Sequence, residues 1–180
     1  MKKLALALAL AGSCALALPT SAGALETYEA QAAASNAAAQ ARMDMFNAFG
    51  TDQLKPGKYL WRDVAADGSE RVVVSLGDQM AYLYRGNTLV AVSTVSSGKP
   101  GHDTPLGIFS VLDKKELHHS KKYNNAPMPF MQRIDDYGIA LHAGMIPGRP
   151  ASHGCVRLPM DFAKKLFSAT DVGTPIYIGA

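Results

Sequence analysis

The residue types with the clearest chemistry lie in one short run that contains a thiol and an imidazole. The run is Ser152-His153-Gly154-Cys155-Val156-Arg157, and His142 lies upstream of it. A thiol near its ordinary pKa of about 8.5 is only a few per cent thiolate at neutral pH, so a nucleophilic cysteine needs a base beside it. His142 and His153 are both available, and the pattern therefore predicts nucleophilic catalysis by Cys155.

The glycine before the cysteine has a separate use. Because Gly154 lacks a side chain, the backbone amides around Cys155 can turn toward a substrate carbonyl and act as an oxyanion hole. The turn-rich connector 143–151 can bring His142 beside Cys155. No acidic third member is evident, and a backbone carbonyl can hold a histidine tautomer equally well. We expect the nearby acids on the surface: Asp135, Asp136 and Asp161.

Two alternative roles for Cys155 are open. A free cysteine is often a buried apolar residue, but His-Gly before it and Val-Arg after it are not typical of a core strand. His142, His153 and Cys155 could also supply three zinc ligands with an open fourth position. A single tight turn seldom presents His-Gly-Cys to zinc, and no carboxylate stands beside it as a base. We favour the nucleophile, with no metal or cofactor.

The first 24 residues are typical of a secretory signal. Lys2 and Lys3 precede an almost wholly Leu and Ala stretch, and Ala22-Gly23-Ala24 is a small-x-small cleavage site. The apolar stretch is short for a membrane span, which needs about 20 residues. We expect cleavage after Ala24 and a periplasmic or cell-wall location; lipid attachment at Cys14 is the alternative.

Removal of residues 1–24 from the 180-residue chain leaves 156 residues, enough for one domain with a sizeable core. The loss of Lys2 and Lys3 reduces the 18 basic residues to 16, against 15 acidic ones. Such a nearly neutral chain gives no indication of nucleic-acid binding. Cys155 then remains as an odd cysteine in an exported protein, where cysteines are usually paired.

Residues 25–57 are expected to form an Ala-rich helix and a linker. Apolar residues recur at helical spacing, and Gly50 supplies an end; the recurring residues are Tyr28, Ala32, Ala39, Met43 and Phe46. Because this face is mostly alanine, we expect the helix to dock weakly on the domain.

Residues 58–180 alternate between short β-rich runs and turns, which predicts a mostly β sandwich or barrel with one or two short helices. Asp67-Gly68 predicts a hairpin after the first strand. The polar stretch 118–134 is expected to be a long loop, with His118 and His119 facing solvent. Residues 159–167 are expected to be helical, because proline suits the first helical position.

The run from Ser152 to Arg157, with His142 before it and Thr104-Pro105-Leu106-Gly107-Ile108-Phe109 further upstream, resembles the YkuD-type L,D-transpeptidases of bacterial cell walls. The similarity covers about residues 70–179. It implies a mostly β catalytic domain in which Cys155 attacks a carbonyl of a peptidoglycan tetrapeptide stem. The terminal D-Ala would leave, and a second amine would resolve the thioester.

The resemblance also implies roles for the neighbouring residues. His142 would be the base, with its ring oriented by the carbonyl of Ala143, and His153 would position the thiol or stabilise the oxyanion. The amides of Gly154 and Cys155 would form the oxyanion hole. Ser152 and Arg157 would contact substrate, and Arg157 stands where many members carry Asn. The nine-residue gap between His142 and Ser152 is shorter than is usual in the family, so the connector must follow a tighter path.

The acceptor is open at this point. Water would make the protein an L,D-carboxypeptidase, and a free D-amino acid would make it an exchange enzyme. A non-catalytic wall-binding module is a further alternative. An NlpC-type cysteine peptidase is disfavoured, because those enzymes place the cysteine before the histidine in the chain, whereas here His142 precedes Cys155.

Overall fold

The computed structural model describes residues 24–180. The predicted signal segment up to Gly23, including Cys14, lies outside them. Within the described part, no helix is long and apolar enough to cross a membrane. Two helices and ten strands of residues 24–180 follow in the order α1 (Tyr28–Phe49), β1 (Tyr59–Trp61), β2 (Glu70–Ser75), β3 (Met80–Arg85), β4 (Thr88–Thr94), β5 (Gly107–Ser110), β6 (Asp113–His119), β7 (Pro127–Arg133), β8 (Ala140–Ala143), β9 (Val156–Leu158), α2 (Met160–Ala169) and β10 (Pro175–Gly179).

Six strands form one sheet, in the order β1-β4-β3-β2-β10-β5. Both faces of this sheet are covered, which accounts for the unbroken apolar run in β2. Val72 and Val74 join the core on one face, and Val73 joins a second cluster on the other. Burial on two sides replaces the apolar–polar alternation of a half-exposed strand.

The other four strands form a second sheet, in the order β6-β7-β8-β9. The main core lies between the two sheets and includes Leu141 and Val156 from the smaller one. Helix α2 closes this core with Phe162 and Leu166, which are fully buried. The mostly β prediction with two helices is confirmed, and so is a helix close to residues 159–167.

Helix α1 packs on the outer face of the six-stranded sheet, and the face predicted from the apolar spacing was wrong. The buried residues are Ala30, Ala34, Ala38, Ala41 and Met45. Tyr28, Met43 and Phe46 are exposed instead. The strength of its docking stays a prediction, but the helix lies close to the sheet. A Cβ on Gly179 would lie 2.5 Å from the Ala34 carbonyl oxygen, because small residues on both sides let the helix backbone approach β10 directly. The predicted end at Gly50 is confirmed.

The expected long loop over 118–134 is mostly a hairpin of β6 and β7. Its strands pair antiparallel from Asp113 opposite Arg133 to His119 opposite Pro127. The tip spans 120–126. β6 is an edge strand with several exposed side chains. It therefore lacks the apolar alternation that marks a half-buried strand.

The expected hairpin at Asp67-Gly68 does not form. β1 crosses the sheet to pair with β4 rather than with β2. The glycine serves a different close approach: Gly68 has a φ of +109°, and a Cβ there would lie 2.8 Å from the Cα of Gly86. The chain does bend at Gly68, but β2, the strand that follows, does not pair with β1.

Candidate active site

His142 lies on β8, in the smaller sheet, with its side chain 8% exposed. Its Nδ1 is 2.8 Å from the carbonyl oxygen of Ala143. Because a carbonyl oxygen only accepts hydrogen bonds, Nδ1 carries the proton and Nε2 is left with a free lone pair. Burial lowers the pKa of His142, although the bond to Ala143 works in the opposite direction. The ring is therefore a neutral base at physiological pH.

Cys155 follows a tight turn and immediately precedes β9. Gly154 has a φ of +113°, and a Cβ there would lie 2.6 Å from Ile139 Cδ1. Both the backbone and the space therefore require glycine. Ser152 holds this turn: its hydroxyl accepts from the Gly154 amide at 3.0 Å and donates to the Cys155 carbonyl at 2.5 Å. Its one hydroxyl proton is thus used within the protein, and the side chain is 1% exposed, which does not fit the expected contact with substrate.

β8 and β9 bring the histidine and the cysteine together. The two strands pair in parallel, with His142 opposite Arg157 and Leu141 opposite Val156. Side chains of directly paired residues, and of residues two positions away, share one face of a sheet. Cys155 is the residue just before β9, two positions from Arg157, and it lines the same cavity as His142. The chain returns between the two strands over residues 144–155, which is long enough for a parallel crossover.

The thiol is held in a resting position. Cys155 is half-buried, and its Sγ donates to the carbonyl oxygen of Gly138 at 3.8 Å. Neither imidazole is hydrogen-bonded to the sulfur. Burial raises the pKa of Cys155, and a backbone hydrogen bond at Ala140 opposes that change only in part. With the pKa of His142 lowered as well, the resting pair is a neutral thiol and a neutral imidazole.

Gly138 lies in a turn that a buried acid shapes. Asp135 is 5% exposed, and its Oδ1 accepts the amides of Tyr137 and Ile139 at 3.0 and 2.7 Å. The expected surface position of Asp135 was therefore wrong. The carboxylate satisfies amides that would otherwise be unpaired. It also fixes the loop that contains Gly138, whose carbonyl oxygen accepts the hydrogen bond of the thiol.

His153 is exposed and belongs to an aromatic group that sequence reasoning did not find. Its ring stacks on Tyr123, with centroids 4.5 Å apart, and meets His102 edge-on at 4.7 Å. The pKa of His153 is lowered by desolvation first and then by Lys99 and His102. The structure thus places His153 against the tip of the β6–β7 hairpin rather than on the sulfur of Cys155. Nothing in the sequence spacing links Tyr123 or His102 to this ring.

The two amides expected to form an oxyanion hole differ in their bonding. The Gly154 N–H is occupied by Ser152. The Cys155 N–H, by contrast, finds no acceptor within residues 24–180. In this conformation one of the two predicted donors is free.

Arg157 extends along the same face as His142. Its aliphatic stem packs where a side chain on residue 144 would stand: a Cβ on Gly144 would lie 3.0 Å from Arg157 Cγ and Cδ. In the described part of the chain its guanidinium makes no ion pair with an acid. An unpaired, half-buried guanidinium at such a position can bind a carboxylate by two hydrogen bonds.

A cavity of about 470 Å³ contains these groups. The residues that line it include five predicted ones: His142, Ser152, His153, Cys155 and Arg157. The β6–β7 hairpin supplies much of the opposite wall, with His118, Lys121, Lys122 and Tyr123. His118 is therefore on the cavity and only half-exposed, contrary to expectation, whereas His119 is exposed as predicted. The basic wall favours a substrate that carries carboxylates.

The zinc alternative finds no assembled ligand set. Across residues 24–180, no three His, Cys, Asp or Glu side chains are close enough together to hold a metal ion.

Comparison with known proteins was made by sequence and by structure. The L,D-transpeptidase catalytic domain model of the YkuD family matches residues 69–178, well over half of the chain. No curated protein sequence matches. An L,D-transpeptidase from Mycobacterium smegmatis is 20% identical, with a TM-score of 0.59 over 62% of this chain and 59% of its own.

Two further solved structures are similar. An L,D-transpeptidase from Stackebrandtia nassauensis is 28% identical, with a TM-score of 0.57 over 64% of this chain and 57% of its own. An L,D-transpeptidase in complex with imipenem is 23% identical, with a TM-score of 0.57 over 61% and 58%. The chain thus spans less than two thirds of these proteins. On the family match and the shared fold, the chain belongs to the YkuD family of L,D-transpeptidase catalytic domains.

Proposed function

We propose that this protein is an exported cysteine acyltransferase that acts on peptidoglycan stem peptides as an L,D-transpeptidase. The observation that carries the proposal is that His142, on β8, and Cys155, just before the parallel strand β9, line the same cavity. A buried neutral base with a free ring nitrogen suits proton transfer from a thiol. Export rests on the signal predicted in residues 1–24.

Acylation begins when the side chain of Cys155 rotates away from the Gly138 carbonyl toward Nε2 of His142. The thiol proton passes to Nε2 while the sulfur bonds to the carbonyl carbon of the third stem residue. The Cys155 N–H donates to the resulting oxyanion. The C–N bond to D-Ala then breaks, and His142 returns the proton to the leaving amine. A thioester on Cys155 and a free D-Ala remain.

Transfer repeats these steps with a new nucleophile. The side-chain amine of a second stem attacks the thioester and gives a proton to His142, an amide forms, and the sulfur leaves and is reprotonated. Arg157 and the basic hairpin, including Lys121 and Lys122, bind carboxylates of the donor stem. These charges hold the carbonyl near Cys155 and do not take part in proton transfer.

The test is incubation of the mature protein with isolated sacculi and with a tetrapeptide stem, followed by mass spectrometry of the products. The proposal expects new L,D-cross-links in the sacculi and released D-Ala, both lost in Cys155→Ala. Hydrolysed tripeptide alone would assign an L,D-carboxypeptidase, and incorporation of an added D-amino acid would assign an exchange enzyme. Unchanged products with the wild-type protein would refute the acyltransferase. Intact binding to sacculi in that case would favour a wall-binding module.

A further inference from the structure

A buried hydroxyl outside the Ser152–Arg157 run contacts the backbone of the catalytic turn. Thr104 is 5% exposed, and its Oγ1 donates to the carbonyl oxygen of Gly154 at 2.7 Å. The same oxygen accepts the amide of Gly98 at 2.9 Å. A hydroxyl has one proton to donate, so the proton of Thr104 is committed to Gly154.

Thr104 belongs to a loop that is fixed to the turn at a second point. The amide of Lys99 donates to the carbonyl of Ser152 at 3.1 Å, and Gly98 bridges Ser152 in parallel. The hydroxyl of Thr104 therefore acts from a rigid support. Because the support is rigid, the bond to Gly154 defines the position of that carbonyl.

The Gly154 carbonyl and the Cys155 amide belong to one peptide unit. The unit is planar and trans, so the C=O and the N–H point in opposite directions and turn together. A hydrogen bond that fixes the carbonyl therefore fixes the direction of the Cys155 N–H. It also polarises the unit and makes that N–H a stronger donor.

Of the two amides expected to form the hole, that of Gly154 is occupied by Ser152, and that of Cys155 finds no acceptor within residues 24–180. We propose that Thr104 is the positioning residue of the oxyanion hole: through the Gly154 carbonyl, it aims the Cys155 amide at the oxyanion. The inference rests on the proposed acyl transfer. Thr104, the first residue of the Thr104–Phe109 run, would then affect the reaction without contacting the substrate.

This role separates two reactions of the same sulfur. Acylation by imipenem forms an S–C bond at the lactam carbonyl and builds an oxyanion before the lactam C–N bond breaks, and the thiol proton ends on the lactam nitrogen. Alkylation by iodoacetamide forms an S–C bond at a saturated carbon and expels iodide, so no oxyanion develops. Loss of a hole donor slows only the first reaction.

The experiment measures both rates at Cys155 by intact-protein mass spectrometry, in wild type, Thr104→Val and Thr104→Ser. Thr104→Val is expected to acylate about 10- to 100-fold more slowly, with the alkylation rate within twofold of wild type. Thr104→Ser retains the hydroxyl and is expected to acylate within threefold of wild type. Thr94→Val is the matched control: Thr94 is 6% exposed, accepts the amide of Gly57 and donates to the carbonyl of Lys58. It should leave both rates unchanged.

Three results would overturn the inference. Equal acylation by Thr104→Val and wild type would show that the hydroxyl does not position the hole, while the proposed function would stand. An equal loss of acylation and alkylation would show a general effect on the turn or the thiol. A wild-type protein that imipenem and a tetrapeptide stem both fail to acylate would remove the proposed function and the inference with it. Should circular dichroism show Thr104→Val to be unfolded, Thr104→Ala removes the same hydroxyl and must show the same split.

Discussion

Gly154→Ala places a methyl group where the structure leaves no room for one. At a φ of +113°, an alanine costs about 1–3 kcal/mol of backbone strain. Its Cβ would also lie 2.6 Å from Ile139 Cδ1, the far end of a side chain that can rotate away at a cost of about 0.5–1.5 kcal/mol. We therefore expect Gly154→Ala to lose about 1.5–4.5 kcal/mol of the free energy of unfolding. Domains of this size lose about 2–4 °C in Tm per kcal/mol, so the melting temperature should fall by roughly 3–18 °C.

A double-mutant cycle separates the two causes. Ile139→Val removes Cδ1, so it relieves the contact but not the backbone strain, and the double variant should be about 0.5–1.5 kcal/mol more stable than the sum of the single changes predicts. Chemical denaturation measures all four proteins. Acylation of Gly154→Ala should fall about 100-fold, because a displacement of about 1 Å is enough to misplace the nucleophile. A Gly154→Ala protein that melts within 1 °C of wild type, or strictly additive free energies, would refute the described turn.

Three further predictions test other parts of the molecule. The rate of Cys155 alkylation by iodoacetamide should rise steadily through neutral pH. Burial raises the pKa of the thiol and lowers that of His142, so the thiolate forms only in alkaline solution. A plateau in the rate between about pH 5 and 7 would instead indicate a preformed thiolate–imidazolium pair. Arg157→Gln should raise KM for a tetrapeptide stem about 10- to 100-fold, with kcat within threefold of wild type. The control Arg85→Gln breaks a remote ion pair with Glu70 and should change neither constant. An unchanged KM in Arg157→Gln would show that Arg157 does not bind substrate. Gly179→Ala should lower the Tm by several degrees, because its Cβ would meet the Ala34 carbonyl. The control Gly77→Ala, where a Cβ makes ordinary contact, should melt within about 2 °C of wild type. Equal melting temperatures of the two variants would contradict the close docking of α1.

The residues of the site could be predicted because their chemistry is local in the sequence. A thiol, two histidines and a glycine within fourteen positions leave few chemical roles open. The structure brings His142, His153 and Cys155 to one cavity, and their roles stay predictions. Their hydrogen bonds could not be predicted in the same way. The engagement of Ser152 within the turn, and the pairing of the thiol with Gly138, depend on backbone directions that spacing alone does not fix.

Elements whose stability comes from distant partners were the ones predicted wrongly. The β6–β7 hairpin has an exposed edge strand, so no apolar alternation marks it, and it brings Tyr123 beside His153 only after folding. Helix α1 buries alanines because the sheet below it carries Gly179, and the larger Tyr28 and Phe46 remain outside. In each case the deciding factor is the shape of a surface far away in the sequence.

The central claim is that His142 takes the proton of Cys155 as the sulfur attacks a stem carbonyl. The most direct measurement is the rate of thioester formation with a tetrapeptide stem, followed by rapid quench and mass spectrometry, in His142→Ala and His153→Ala. The account predicts a loss of about 10²–10⁴-fold for His142→Ala and less than tenfold for His153→Ala, with both proteins folded. A loss below tenfold for His142→Ala, or the reverse order of the two variants, would contradict it.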